Sequence, residues 1–345
     1  MKYLVTGPGG FLGRYIVEQL IARGDAVRGL ARGNYPELAA LGVELVRGDL
    51  ADRKTVMAAC EGIDCVFHVA GRVGVWGKWN DYVRDNVRGT LNLLAGCQQQ
   101  GVERMVFTSS PSVTFTGEDQ CNVAESAPYA TKWLAHYPHS KALAEQFVLA
   151  MNGEEVHGGG VFRCCSLRPH LVWGPRDHHL TARLVQRAKS GQLRRVGEGK
   201  NLVDMIYVEN AATAHLQAAD ALAVAPYAPA GKAYFISQGA PVNCWQWIDE
   251  ILALVNLPPV TKSISASSAY RVGAALEWAH RLTRNRTEPR MTRFVARQLA
   301  TSHYFNIAAA KRDFGYEPKV PTAEGMRRLG EWLNSNAEGG MRNAE

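Results

Sequence analysis

The opening run of residues does most to limit the fold. Lys2-Tyr3-Leu4-Val5, inside the strand-like span 1–6, leads into Gly7-Pro8-Gly9-Gly10-Phe11-Leu12-Gly13, after which Ile16, Val17, Leu20 and Ile21 recur at helical spacing. That is a strand, a glycine turn and a helix. Glycine lets the backbone turn tightly and approach a pyrophosphate, and the helix that follows points its unpaired amides and positive dipole end at that anion. The pattern predicts a dinucleotide site on Gly7, Gly10, Phe11, Leu12 and Gly13. Its glycines are three apart, a variant of the G-x-G-x-x-G spacing; a glycine turn without a ligand is the alternative.

Further strand-like segments, 26–31, 43–46, 65–70, 105–109 and 164–167, alternate with helix-like ones. Such alternation predicts a doubly wound α/β fold, a parallel sheet with helices on both faces. After Gly174-Pro175 the rhythm loosens: 181–190 reads as helix, 203–207 as strand, 210–222 as an alanine-rich helix and 231–237 as strand. From Pro258 the chain reads mainly as helix, with aromatic residues scattered through it. The expected division is a dinucleotide-binding domain over 1–175, completed by 203–222 and 231–245, and a smaller, mainly helical C-terminal substrate-binding cap over 176–202 and 246–336. A flexible tail is expected over 337–345, and Gly158-Gly159-Gly160 reads as a flexible turn. The cap would lie over the strand ends, where open α/β sheets bind ligands.

Composition narrows the class. With 46% hydrophobic and 21% charged residues in 345, the chain can bury a sizeable core. No apolar run reaches the length of a membrane span, and the first residues already form a strand, so the cytoplasm is expected. The seven cysteines, at 60, 65, 97, 121, 164, 165 and 244, are odd in number and contain no C-x-x-C pair, which predicts buried free thiols rather than disulfides or zinc. No metal is expected, because histidines 136, 139, 178 and 179 lack ligand spacing. The net charge of +7 is concentrated late, in Arg271, Arg281, Arg284, Arg286, Arg290, Arg293 and Arg297 against Glu277 and Glu288, with Arg290, Arg293 and Arg297 predicted on one helical face. A solvated face, an acidic partner, a membrane surface and a carboxylate substrate all remain open for it. No nucleic-acid motif accompanies these arginines, so nucleic acid is not an expected partner.

Four further segments carry chemistry. The second strand ends in Leu30-Ala31-Arg32, where a carboxylate commonly holds the ribose 2′-hydroxyl; a guanidinium there favours the 2′-phosphate of NADP over NAD, unless Arg32 lies over the adenine or in solvent. Asp49 and Leu50 follow the third strand, and Asp49 is either an acceptor for the adenine amino group or a turn residue. The strand 104–107 ends in Thr108-Ser109-Ser110, which delivers hydroxyls to the carboxyl edge of the sheet. Ser110 stands 27 positions before Tyr137. Tyr137 and Lys141 are one helical turn apart, so the ammonium can sit beside the phenol and favour its ionised form. Tyr129 and Lys132, three apart and lacking the amphipathic helix, form a decoy. A hydride delivered to a ketone builds charge on oxygen that Ser110 can hydrogen-bond and Tyr137 can protonate.

Taken together, Thr6-Gly7 with Gly10 and Gly13, Asp49-Leu50, Val66-Phe67-His68-Val69-Ala70, Asn86-Val87-Arg88-Gly89-Thr90, the Ser110 segment and Tyr137 with Lys141 resemble the extended short-chain dehydrogenase/reductase superfamily. Leu167-Arg168-Pro169, Trp173-Gly174-Pro175 and Tyr207-Val208-Glu209-Asn210 resemble its 3β-hydroxysteroid dehydrogenase branch, while Asn34-Tyr35-Pro36-Glu37-Leu38 and Asp313-Phe314-Gly315-Tyr316 are similar to bacterial 2-alkyl-3-oxoalkanoate reductases of long-chain olefin biosynthesis. The resemblance implies catalytic Ser110, Tyr137 and Lys141, and cofactor contacts from Ala70, Asn86, Pro169 and His170. For Asn86 a merely structural place inside a helix is equally open. It implies NADPH-dependent reduction of a long-chain 2-alkyl-3-oxo acid. An NAD(P)-dependent sterol-4-carboxylate or 3β-hydroxysteroid dehydrogenase and a non-catalytic dinucleotide-sensing protein are the alternatives. It also implies a homodimer through helices flanking the sheet. The segment 73–79 would wall the substrate, or simply pack through its tryptophans. The Arg-rich segment could meet a membrane surface or a pathway enzyme.

Overall fold

In the computed structural model, which describes residues 1–342 and their side chains to residue 335, seven strands form one parallel sheet. They are β1 (Lys2–Thr6), β2 (Ala26–Ala31), β3 (Glu44–Arg47), β4 (Cys65–His68), β5 (Arg104–Thr108), β6 (Arg163–Pro169) and β7 (Lys232–Ile236). Their spatial order is β3-β2-β1-β4-β5-β6-β7, with every neighbouring pair parallel. Order reverses between β1 and β4, which opens a crevice at their carboxyl ends. Tyr3, Leu4, Val5, Cys65, Val66 and Phe67 are all buried, as unbroken apolar runs must be when both faces of a sheet are covered.

One face is covered by α1 (Phe11–Ala22), the other by α2 (Arg53–Cys60), α3 (Gly89–Gln100) and α4 (His136–Ala150). Beside α1 lies α5 (Val208–Ala221), whose buried Ala211, Ala212, Ala218 and Ala219 allow close packing. Gln19 locks the two helices by donating to the Glu209 carbonyl at 3.0 Å. The chain therefore has a doubly wound α/β architecture with a smaller helical C-terminal region. That region comprises α6 (Cys244–Ala253), α7 (Ala266–Leu282), α8 (Arg293–Ala300), α9 (Ala308–Phe314) and α10 (Thr322–Arg342). Its own core gathers Trp173, Tyr207, Trp245, Trp247, Ile251 and Leu329.

Several expectations change in detail. The predicted strand 203–207 is two pieces in different small sheets, Leu202–Val203 and Ile206–Tyr207, because Asp204 between them turns inward to bond other elements. The triple glycine closes a hairpin, Glu155–Val156 against Gly160–Val161. Arg290 precedes α8 rather than sharing a face with Arg293 and Arg297; Thr292 caps that helix by accepting from the Val295 amide at 3.1 Å. Of the tail 337–345, the part to Arg342 continues α10 and the rest lies outside the described residues. Six of the seven free cysteines are buried, and Cys121 is exposed. Among the described residues no helix is long and apolar enough to cross a membrane.

Candidate active site

The crevice at the β1/β4 switch is a cleft of about 390 Å³. Its floor is the glycine turn. Gly7 has φ +68°, and a Cβ placed on Gly13 would stand 2.2 Å from the Gly7 carbonyl oxygen, so the turn can close only without a side chain there. Gly10 opens α1 with no side-chain cap, leaving the first amides of the helix free for an anion. Phe11 and Leu12 line the same end; Ala70 packs on Gly7 from the end of β4. Arg32, exposed and without an ionic partner among the described residues, flanks the far end with Asp49 and Leu50. Asp49 uses one oxygen to accept from the Ala51 amide at 2.9 Å, so it is a turn residue that also lines the cleft. These residues fit a dinucleotide: a backbone cradle for the pyrophosphate and a cation beside the ribose end.

Tyr137 and Lys141 close the opposite end. Ser110 follows β5 and caps a short 3₁₀ turn, pairing with the Ser112 hydroxyl at 2.8 Å. Burial raises the pKa of Tyr137 and a hydrogen bond with the Ser110 hydroxyl opposes the rise, so the serine-tipped strand and the tyrosine do meet. Lys141 is placed differently from the sequence expectation. Its ammonium donates to the Thr108 carbonyl at 2.5 Å and stands 4.0 Å over the Phe107 ring. A buried ammonium takes whatever acceptor it can reach. Burial lowers its pKa to about 7, against a smaller opposing pull from Glu145.

Residues with no sequence signature hold this pair in place. Glu145, one turn beyond Lys141, is fully buried and binds Arg168 of β6 through contacts from 2.5 to 3.2 Å. Tyr129, the decoy, donates to the same carboxylate at 2.7 Å, as does Ser166. Asn86 sits in a π-helical stretch, Val83–Arg88, and spends its amide on the cleft wall: it accepts from the Arg72 amide at 2.6 Å and donates to the Arg72 carbonyl and to Ser140. Ser140 in turn donates to the Tyr137 carbonyl at 2.8 Å. Behind the sheet end, Thr90 donates to the Asn86 carbonyl, so its oxygen must accept from His68 Nε2–H. His68 Nδ1 is then the acceptor for Thr6, and burial with the nearby Lys141 lowers the His68 pKa to about 3.

Pro169 and His170 do not line the cleft. His170 is buried and its ring is already committed, to Asp204 at 2.5 Å and to His303 Nδ1 at 3.1 Å. His303 Nε2 faces only the Gln298 carbonyl and must donate; its pKa is lowered to about 3 by burial and by His170, so the ring is neutral. Its Nδ1 therefore accepts from His170 Nε2–H, which leaves His170 Nδ1 facing the Asp204 carboxyl group.

A second cavity, about 950 Å³, lies beside the cleft and shares Arg72 with it as a lining residue. Val75, Trp76, Trp133, Leu134 and His136 form its apolar side; Lys78, Arg281, Arg284, Arg286 and Arg293 form a basic side, against Asp81 and Glu277. Of the segment 73–79, Trp76 faces this cavity, whereas Trp79 and Trp133 sandwich His139 with centroids 4.5 and 5.1 Å away. Among the described residues no group of His, Cys, Asp or Glu is placed to hold a metal ion.

Residues 4–260 match the model of the 3-beta hydroxysteroid dehydrogenase/isomerase family. The chain is 50% identical to a 2-alkyl-3-oxoalkanoate reductase of Shewanella oneidensis, over 94% of this chain and 84% of that one. It is 46% identical to the reductase of the same name in Stenotrophomonas maltophilia, over 95% and 98%. A human decarboxylating sterol-4-alpha-carboxylate 3-dehydrogenase is 34% identical, over 94% and 86%. Among solved structures, MoeE5 in complex with UDP-glucose and NAD superposes with TM-score 0.74 at 24% identity, over 98% of this chain and 100% of that one, which shows the common fold. A glycine cradle at the switch point, a Ser-Tyr-Lys grouping beside it and these matches agree: the chain is an NAD(P)-dependent oxidoreductase that belongs to the 3-beta hydroxysteroid dehydrogenase/isomerase family.

Proposed function

We propose that the chain uses NADPH to reduce the ketone of a long-chain 2-alkyl-3-oxoalkanoic acid to the 3-hydroxy acid. The observation that carries this reading is the adjacency of two cavities that share Arg72 as a lining residue, one with Tyr137 and Lys141 at its end, the other lined by tryptophans and arginines. A cavity of about 950 Å³ has room for two alkyl chains, and Arg284 and Arg286, which have no ionic partner among the described residues, suit a carboxylate. The two relatives named 2-alkyl-3-oxoalkanoate reductase, at 50% and 46% identity, support the same substrate class.

NADPH, when bound, supplies the hydride for the ketone carbon. The protein supplies the rest. Gly7, Gly10 and Gly13 would hold the pyrophosphate and Arg32 the 2′-phosphate. Ser110 hydrogen-bonds the ketone oxygen as charge builds on it, and Tyr137 gives that oxygen its proton. Lys141, at the same end of the cleft, would hold the cofactor's ribose, and its pKa, lowered by burial to about 7, leaves it a proton to give near neutral pH. Reduction also removes the ketone that would accept the electron pair from a departing carboxylate, so the acid is preserved.

The test is nicotinamide absorbance with NADPH and a 2-alkyl-3-oxo acid, run beside NAD⁺ and a 4-carboxysterol, the reaction that the human relative's name suggests. Turnover in the first assay only is expected. Turnover in the second only would replace the substrate class, and cofactor binding without turnover in either would mark a sensor. Tyr137→Phe is expected to lower kcat by about 10²–10⁴ while NADPH affinity is kept; full activity would refute the role of the phenol.

A further inference from the structure

α7 presents two opposite faces. Ala269, Gly273 and Glu277 are buried against the start of α8: a Cβ on Gly273 would stand 2.7 Å from the Thr292 backbone, and Glu277 accepts from the Arg293 amide at 2.7 Å. The opposite face carries Val272, Trp278 and Leu282, which are 45%, 67% and 69% exposed. These are large apolar side chains left mostly uncovered by the described residues. Arg271, Arg281, Arg284, Arg286 and Arg290, all exposed, stand within twelve residues of Trp278 in the chain. Arg281 lies over Trp76 and reaches Glu277 at 3.8 Å, but the other four guanidinium groups have no ionic partner among the described residues. Arg281, Arg284 and Arg286 also line the larger cavity, so the C-terminal end of α7 serves both the cavity wall and the apolar patch.

We infer that this end of α7 docks on an anionic lipid surface, with Trp278 and Leu282 entering the interfacial layer and the arginines on the headgroups. Indole rings favour the membrane–water boundary, and arginine stems lie along an apolar surface while their heads reach anions. With Arg284 and Arg286 on the cavity wall, Arg271 and Arg290 are the guanidinium groups of this stretch left without an ionic partner among the described residues, beside a small protrusion of two large side chains; a sheet of anionic headgroups neutralises them without shape complementarity. Each cation near such a surface strengthens binding roughly fivefold. The inference rests on the proposed function in one respect: a substrate with two alkyl chains resides in lipid, and docking would bring the end of α7 that forms part of the cavity wall against that source.

The experiment is co-sedimentation of the full chain with vesicles of equal parts phosphatidylglycerol and phosphatidylcholine, beside vesicles of phosphatidylcholine alone. Pelleting with the first and not the second is expected. Trp278→Ser with Leu282→Ser should weaken it at least about tenfold, with no change in thermal unfolding or in turnover of a short, water-soluble keto acid, since neither residue lines a cavity. Equal pelleting of the wild type and the double variant would overturn the inference, as would binding to neutral vesicles of the same strength. Sedimentation velocity supplies the third arm: a dimer that the double variant dissolves would assign the patch to a second copy of the chain instead. Vesicle binding needs no turnover, so its failure is separable from failure of the proposed reaction.

Discussion

A lysine that is 4% exposed, facing one carbonyl and an aromatic ring, carries its charge at a cost to folding. With its pKa at about 7 in the fold and 10.5 as the ordinary value, the unfolded chain binds the proton more readily between those two values. Stability tied to Lys141 is therefore undiminished above about pH 10.5, falls as pH drops toward 7, and is flat below. Lys141→Met should raise the cofactor-free unfolding temperature most at pH 7 and below, by a few degrees, with a ceiling on the order of 4–5 kcal/mol, and should abolish turnover. Unfolding curves from pH 6 to 10 check this; a gain independent of pH would show that packing, not charge, is responsible. The four-residue interval between Tyr137 and Lys141 is legible in the sequence because it needs only helical geometry. Where the ammonium goes is not, because the Thr108 carbonyl is a backbone atom that every residue type possesses.

α4 carries Tyr137, Lys141 and Glu145 at successive turns, and only the last is anchored by a charge, to Arg168 on β6. Breaking a buried pair from one side leaves the other charge without compensation, at about 3–5 kcal/mol. Arg168→Met should lower the urea midpoint by a corresponding amount and loosen the helix that carries the tyrosine, whereas Glu145→Met combined with Arg168→Met should recover part of the loss. A single variant within about 1 kcal/mol of wild type would show that the Tyr129 and Ser166 hydroxyls suffice for Glu145. The sequence points to α4 through its apolar periodicity. It does not reveal Arg168 as its anchor, since the two positions meet only when β6 pairs with β5. Nor does it reveal the π-helical stretch that turns Asn86 toward Arg72 and Ser140, because α- and π-helical turns draw on the same residue types.

Across the whole molecule, the doubly wound sheet is readable because each strand-helix unit is local and repeats. The helical character of the C-terminal region is readable too, but its small sheets are not, because their strands are two to four residues long and pair over great distances, Gln120 with His303 and Leu202 with Asn243. The Asp204-His170-His303 chain is the seam between the two parts: His170 follows β6, while Asp204 and His303 belong to the small-sheet region. His303→Ala would leave the His170 Nε2–H and the Gln298 carbonyl without their partner, at about 1–3 kcal/mol. Hydrogen exchange should quicken at residues 120–123 and 303–305 while β1, β4 and β5 stay protected; uniform quickening would mean that the two parts open as one unit. That seam borders the strand Gln120–Val123, whose Cys121 is the exposed one of the seven cysteines. The unmodified protein consequently offers a single thiol for a maleimide fluorophore or spin label, placed where the movement of one part against the other can be followed in real time.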